Sequence, residues 1–262
     1  GDLAHGRELS RLRGETVKGG EPDIASRQSE TQDRSTPGTR RFPRGVLFDL
    51  DGTLLDSAPD MLATANAMRA ERGAAAMELA QLRPYVSRGS RAMVSAAFPQ
   101  LDAEAREELV PIFLAIYERE LGHHGAPFDG IEAMLAEIEA DGGRWGIVTN
   151  KPEYLARLLM PLLGWEDRCG VLIGGDTLPE RKPHPMPLQH AAAALGLAPE
   201  DCVYVGDDKR DIEAARAAGM PSVVALWGYR VPGDLPEEWG GDVMVESPHD
   251  LLAPARWPAR AT

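Results

Sequence analysis

Apolar residues occur along this chain in short blocks separated by longer, helix-patterned stretches. Gly45-Val-Leu-Phe-Asp-Leu50 is an apolar run that ends in acids, the pattern of a buried parallel strand. Runs of the same kind recur at 144–149 (RWGIVT), 171–174 (VLIG), 202–206 (CVYVG) and 222–226 (SVVAL), with a weaker one at 242–245. Between them lie segments with helical spacing. The stretch 130–140 puts Ile131, Met134, Leu135 and Ile138 on one face, and 154–163, 186–195 and 211–218 are further predicted helices. Strand–helix alternation predicts an α/β fold with a Rossmann-like parallel sheet. In such sheets ligands bind beyond the carboxyl ends of the strands, where this sequence concentrates its acids.

One interval breaks the alternation. Between Leu50 and Arg144 no strong strand candidate occurs. Helices are predicted over 59–72, 74–85 and 90–98, and a fourth carries Leu109, Ile112, Phe113 and Ile116 at helical spacing, with Pro111 leaving its start open. This reads as an inserted α-helical cap over 58–128, with 45–57 and 129–254 forming the core. Residues 1–44 have neither period. They hold eight residues of the apolar set and are expected to form an extension without fixed structure.

Composition narrows the classes. The chain has 262 residues, 43% of them hydrophobic, which suits one large domain or a domain with an insertion. Its net charge is −13. Residues 1–44 carry nine basic and seven acidic side chains, so the remaining 218 hold 19 and 34, a net of −15. That balance argues against nucleic acid as a partner. No apolar run approaches the ~20 residues of a membrane span, and no secretory leader pattern is present, so a cytoplasmic location is expected. Cys169 and Cys202 are too few for a disulfide scaffold and are expected to be reduced.

The chemistry gathers at strand ends. Asp49-Leu-Asp51-Gly52-Thr53-Leu54 closes the first strand with two carboxylates at i and i+2, and Gly52 lets the backbone turn. Val148-Thr149-Asn150-Lys151 closes the second. Lys182-Pro183-His184-Pro185 follows, and Gly206-Asp207-Asp208-Lys209-Arg210-Asp211 closes a later strand with a cluster of acids.

These four segments, in this order, resemble the motifs of the haloacid dehalogenase-like hydrolases over about residues 44–252. The resemblance implies phosphate-ester hydrolysis with Mg²⁺. Asp49 would be the nucleophile, forming an aspartyl-phosphate, and Asp51 the general acid and then base. Thr149 and Asn150 would bind the phosphoryl oxygens, and Lys182 would bind phosphate and offset charge. The metal would take Asp49, the Asp51 carbonyl and Asp207. Asp211 would serve around it, orienting water or Lys182, and Asp208 would stand beside the ligand shell. An acid two residues after the nucleophile is the phosphatase and phosphomutase pattern.

The cap segment Val86-Ser-Arg-Gly-Ser-Arg-Ala-Met93 offers Arg88 and Arg91 to an acidic substrate. Equally, Ser90 could cap a surface helix whose arginines face water. His123-His124 reads as a surface loop. The strings DLDGTLLDSAPD, VTNKP, KPHPMPL, VGDDKRDIEAARAAGM and WGY are similar to the phosphoglycolate phosphatase group, which includes phosphatases of N-acetylmuramic acid 6-phosphate. Both substrates carry a phosphate and a carboxylate. Arg88, where a smaller residue would leave more room, leans towards the smaller one. A phosphomutase and a catalytically inactive binding module on the same fold are the readings from other classes. The oligomeric state stays open.

Overall fold

The structure, a computed structural model, describes residues 40–259. The extension expected over 1–44 therefore lies, except for its last five residues, outside the described residues. The elements are β1 (Gly45–Phe48), β2 (Leu55–Asp56), α1 (Ala58–Glu71), α2 (Leu79–Leu82), α3 (Ser90–Ala97), α4 (Ala103–Glu120), β3 (Ala126–Pro127), α5 (Ile131–Ala140), β4 (Arg144–Val148), α6 (Glu153–Leu163), β5 (Leu172–Ile173), α7 (Met186–Ala194), β6 (Cys202–Gly206), α8 (Lys209–Ala218), β7 (Ser222–Ala225) and β8 (Val243–Val245).

Six strands form one parallel sheet in the order β5-β4-β1-β6-β7-β8. β1 sits at its centre, with Gly45–Phe48 aligned against Arg144–Ile147 on one side and Cys202–Val205 on the other. All four β1 residues are buried, because helices cover both faces. The alternation of a strand divides them: Val46 and Phe48 enter the larger core, and Leu47 enters the smaller one with Tyr204 and Leu188. Ile131, Met134, Leu135 and Ile138 form the buried stripe of α5, as their spacing predicts.

α1 to α4 lie between β1 and β4 as the helical insertion, and their apolar faces continue the larger core. The expected helix over 74–85 is broken. Gly73 takes a positive φ of 67° after α1, residues 74–78 are irregular, and α2 is a single turn before a 3-10 segment at Arg83–Arg88. Pro84 at the start of that segment cannot donate the backbone bond that would extend α2. The fourth helix runs through Pro111 and begins at Ala103, where the Asp102 side chain accepts from Ala105 N.

A two-stranded ribbon, β2 against antiparallel β3, joins the core to the insertion. Two-residue strands leave no periodicity to read. The core also reaches beyond the expected boundaries of 45 and 254: Phe42 and Trp257 are both buried and meet edge-on at 6.5 Å. Asp141 Oδ2 accepts from the Arg41 and Phe42 amides and holds that entry segment. Both cysteines are free thiols, which burial raises to about 11 for Cys169 and about 12 for Cys202. Among the described residues no helix is long and apolar enough to cross a membrane.

Asp60, wholly buried in the first turn of α1, ties the chain's return to the core. It accepts from the amides of Gly122 (2.9 Å), His124 (2.6 Å) and Gly125 (3.1 Å). Asp60→Ala removes three charge-assisted bonds and is expected to lower unfolding free energy by about 2–4 kcal/mol in urea titration. A loss below about 0.5 kcal/mol, the scale of a neutral surface change, would show that the return loop holds without it.

Candidate active site

The site is built at the carboxyl end of the sheet. Beyond β1 the Leu50 carbonyl accepts from Thr53, Leu54 and Leu55, which curls the chain into a tight loop. Gly52 makes the turn at φ 90°, and a Cβ there would overlap the Asp207 carboxylate. Gly228, after β7, approaches Asp207 as closely from the other side. Its neighbours lock the loop: Trp227 Nε1 donates to Thr53 O at 2.9 Å, and Tyr229 N donates to Asp207 Oδ2 at 2.8 Å.

Asp49, Asp207 and Asp211 are all buried, and one carboxylate oxygen from each lies within 4.8 Å of the others. Lys182 is their buried counter-charge. Its Nζ lies 2.9 Å from Asp49 Oδ1 and 2.7 Å from Asp211 Oδ1, and it donates to Val148 O (2.8 Å) and Tyr204 Oη (2.7 Å). An ammonium has three protons for these four neighbours, and Asp49 Oδ1 is left without a hydrogen bond. Burial alone would lower the Lys182 pKa, but Asp211 and Asp49 beside it raise it. Burial lifts Asp211 to about 7 in spite of Lys182. Asp207 is pushed well above the usual carboxylate range by burial and then by the charges of Asp49 and Asp211.

The remaining oxygens divide by task. Asp211 Oδ2 accepts from Asp208 N at 3.0 Å, so Asp211 is already engaged by Lys182 and by the start of α8. Asp207 accepts from Thr53 Oγ1 (3.0 Å) and Ser87 Oγ (2.9 Å). Ser87 Oγ also lies 3.4 Å from Asp51 O, so one hydroxyl of the insertion faces both oxygens. Asp208 is held by Arg210 Nε at 2.8 Å, and against the cost of burial this bond keeps its pKa low.

Asp51 is turned away from the cluster. Lys151 Nζ donates to both of its oxygens, at 3.2 and 3.1 Å, and to Tyr117 Oη of α4 at 2.6 Å. Thr149 faces the cavity and accepts from Lys151 N. Asn150 lies beside it, but its Nδ2 donates to Lys182 O at 2.9 Å while Oδ1 is buried without a partner. One of its two amide protons thus braces Lys182, while the residue still lines the cavity.

The two arginines that the sequence offers to an acidic substrate are both paired. Arg88 donates to the two Asp234 oxygens at 3.0 and 3.1 Å, and lies 3.6 Å from Asp208. Arg91 is bound to Glu107, with its side chain 69% exposed. Both line a cavity of about 440 Å³ between insertion and core, together with Met61, Val110, Leu114 and Leu155. Because Arg88 is spent on Asp234, its bulk gives no reason to prefer a small substrate. Lys151, Tyr117 and Tyr204 went unassigned in the sequence, and Ser87 was conspicuous only as part of the cap segment 86–93. Lys151 carried a signal too, directly after Thr149-Asn150.

The matching family model is that of haloacid dehalogenase-like hydrolases, over residues 46–225. A phosphoglycolate phosphatase of Xanthomonas campestris pathovar campestris is 66% identical over 218 residues, covering 83% of this chain and 99% of that protein. An N-acetylmuramic acid 6-phosphate phosphatase of Pseudomonas aeruginosa is 44% identical over 210 residues, covering 80% and 93%. The crystal structure of a predicted phosphoglycolate phosphatase from Haemophilus somnus superposes with a TM-score of 0.71 at 25% identity, covering 81% of this chain and 97% of that one. The chain belongs to the haloacid dehalogenase-like hydrolase family.

A carboxylate whose pKa is raised on folding favours the folded state at low pH, and that advantage is lost as pH rises through the raised value. Asp211, lifted to about 7, therefore burdens the metal-free protein increasingly as pH rises from the ordinary carboxylate range towards 7, and Asp207, raised in the same direction, adds to that burden at higher pH. Asp207→Asn is expected to raise Tm in EDTA at pH 8 by roughly 2–4 °C, the effect of about 1 kcal/mol in a domain of this size, with little gain at pH 5. It should also abolish any rise in Tm on adding Mg²⁺. An Asn variant less stable than the native protein at both pH values would refute the like-charge account.

Proposed function

We propose that the chain is a Mg²⁺-dependent phosphomonoesterase, acting on phosphoglycolate through a phosphorylated Asp49. The observation that carries the reading is the buried group Asp49, Asp207, Asp211 and Lys182 at the sheet's carboxyl end, roofed by the insertion over a cavity. The phosphoglycolate phosphatase at 66% identity supports the substrate. Two free thiols, Cys202 buried and Cys169 partly buried, suit a cytoplasmic enzyme.

The donor set fits a hard divalent cation. Asp49 Oδ1 lacks a hydrogen bond, three acids crowd together, and Gly52 and Gly228 keep the space beside Asp207 free of side chains. Asp49, Asp207 and the Asp51 carbonyl would hold Mg²⁺, which would offset negative charge between carboxylate and phosphate. Asp211, already bonded to Lys182, orients that lysine.

The chain's own residues carry the steps. Asp49 attacks phosphorus and displaces the ester oxygen, while Lys182 offsets the charge of the attacking and transferring groups. Asp51 gives its proton to the departing alkoxide. It then takes one from water as the water attacks phosphorus, breaks the bond to Asp49 and releases inorganic phosphate. Thr149 donates to a phosphoryl oxygen. The insertion over 58–128 works as a cap that excludes bulk water, with Ser87 and Arg88 fastening it to Asp207 and Asp234.

A second reading, hydrolysis of N-acetylmuramic acid 6-phosphate, is favoured by a cavity of about 440 Å³, which exceeds what a two-carbon acid fills. A phosphate-release screen with Mg²⁺ decides between them. Phosphoglycolate should exceed N-acetylmuramic acid 6-phosphate and sugar phosphates in kcat/KM by at least about tenfold, a difference of about 1.4 kcal/mol in transition-state binding. Comparable values on all of them would remove the substrate assignment. Asp49→Asn should release no phosphate while keeping the native Tm, and substantial turnover would refute its role as nucleophile.

A further inference from the structure

The cavity is ringed by cations, but they differ in what they already hold. Lys182 sits between Asp49 and Asp211. Arg210 holds Asp208 and the Ser87 carbonyl. Arg88 has Asp234, Arg91 has Glu107, and Arg181 is exposed to solvent, which screens it. Lys151 is different. Its side chain is 3% exposed, and its carboxylate partner is Asp51. Tyr117 closes the other side, with Oη at 2.6 Å and the ring centroid at 4.4 Å.

We infer that Lys151 is the specificity-determining residue that receives the substrate's carboxylate, releasing Asp51 as it does so. The inference rests on the reading of the chain as a phosphomonoesterase. To protonate the ester oxygen, Asp51 must point at it, and an aspartate with both oxygens on one ammonium does not. When Asp51 swings away, Lys151 is left as a buried charge without a counter-ion, an unfavourable state. A substrate carboxylate removes that obstacle by taking the place of Asp51. Lys151 lies two residues beyond Thr149, so one loop presents the phosphate-binding hydroxyl and the carboxylate-binding ammonium to the same cavity. An ester without a second anion binds through its phosphate but leaves Asp51 held. Selection thus acts in kcat, through release of the acid, and not only in KM.

Phosphoglycolate and ethyl phosphate form the matched pair for a test, since both have two carbons and only one has a carboxylate. The native protein is expected to favour phosphoglycolate in kcat/KM by about a hundredfold, the scale of a buried charge-assisted hydrogen bond. Lys151→Met should bring the ratio to within about threefold, through a higher ethyl phosphate kcat, since Asp51 is no longer held, and a higher phosphoglycolate KM, since its carboxylate loses the ammonium. Lys151→Gln should move the same way and serves if the Met variant unfolds. Binding supplies a readout independent of turnover. In an Asp49→Asn background, Lys151→Met should weaken phosphoglycolate by about tenfold in calorimetry and leave inorganic phosphate unchanged. Equal losses on both esters would assign Lys151 a purely structural part and overturn the inference. If the native protein hydrolyses neither ester, the phosphatase reading fails. The calorimetric comparison still decides on Lys151, and unchanged phosphoglycolate affinity overturns its role.

Discussion

The site depends on an excess of buried negative charge. Asp49, Asp207 and Asp211 share one dry pocket, and Lys182 is the one ammonium placed among them. Isolated buried charges are costly, so this arrangement survives only because each is held in place. Tyr204 Oη and the Val148 carbonyl, both from strands of the sheet, fix the lysine. The α8 amide at Asp208 and the Thr53 hydroxyl hold the acids. The two close glycines leave no side chain to relieve the crowding. Stability is thereby traded for a place where, on the proposed reading, a hard cation and a phosphate would find charge already arranged, which is the condition for electrostatic catalysis.

The same excess organises what lies above it. Ser87 reaches down to Asp207, and Arg88 and Arg210 gather Asp208, Asp234 and the Ser87 carbonyl at the edge of the cavity. Tyr229 links this edge to the joint of the insertion. Its amide donates to Asp207, its hydroxyl donates to Asp56 Oδ1 at 2.6 Å, and the Ala58 amide donates to that hydroxyl at 3.0 Å. The burial of Tyr229 and its bond to Asp56 push the phenol pKa far up, so it stays neutral and acts as a bridge. The ribbon β2–β3, Asp60 and Tyr229 thus converge on the two crossings between core and helices.

What was legible in the sequence follows from how far each feature reaches along the chain. The buried strands could be read because burial on both faces makes their residues continuously apolar, as in Val46-Leu47-Phe48. The acids could be read because they follow those strands directly. The strings around Gly228 and Asp207 acquire a physical reason in the structure, since any Cβ at Gly228 would strike Asp207. Features made by side chains meeting from distant segments could not be read. Phe42 and Trp257 are separated by almost the whole described chain, and Tyr117 reaches Lys151 from another helix. The helix predicted over 74–85 fails for a local reason, because its apolar spacing continues past a proline that interrupts backbone bonding. Arginines 88 and 91 were conspicuous in composition, but which acid each one meets is decided by packing.

That last point bears on where specificity resides. A charged contact gains little in water, where solvent and salt screen it, and much where both are excluded. Arg91, with most of its guanidinium in solvent and Glu107 against it, is poorly placed to tell one substrate from another. Arg88 holds the cap edge to Asp234, so loosening it for a substrate would open the roof. Lys151 lies inside, against an aromatic ring and on the loop that carries Thr149 into the cavity. On the proposed reading, a small acid would gain a contact there that a neutral ester lacks, and Asp51 would be set free in the same exchange. Recognition and release of Asp51 would then be one event, and the pairing of Asp51 with a lysine would be broken only when a substrate of the right charge arrives.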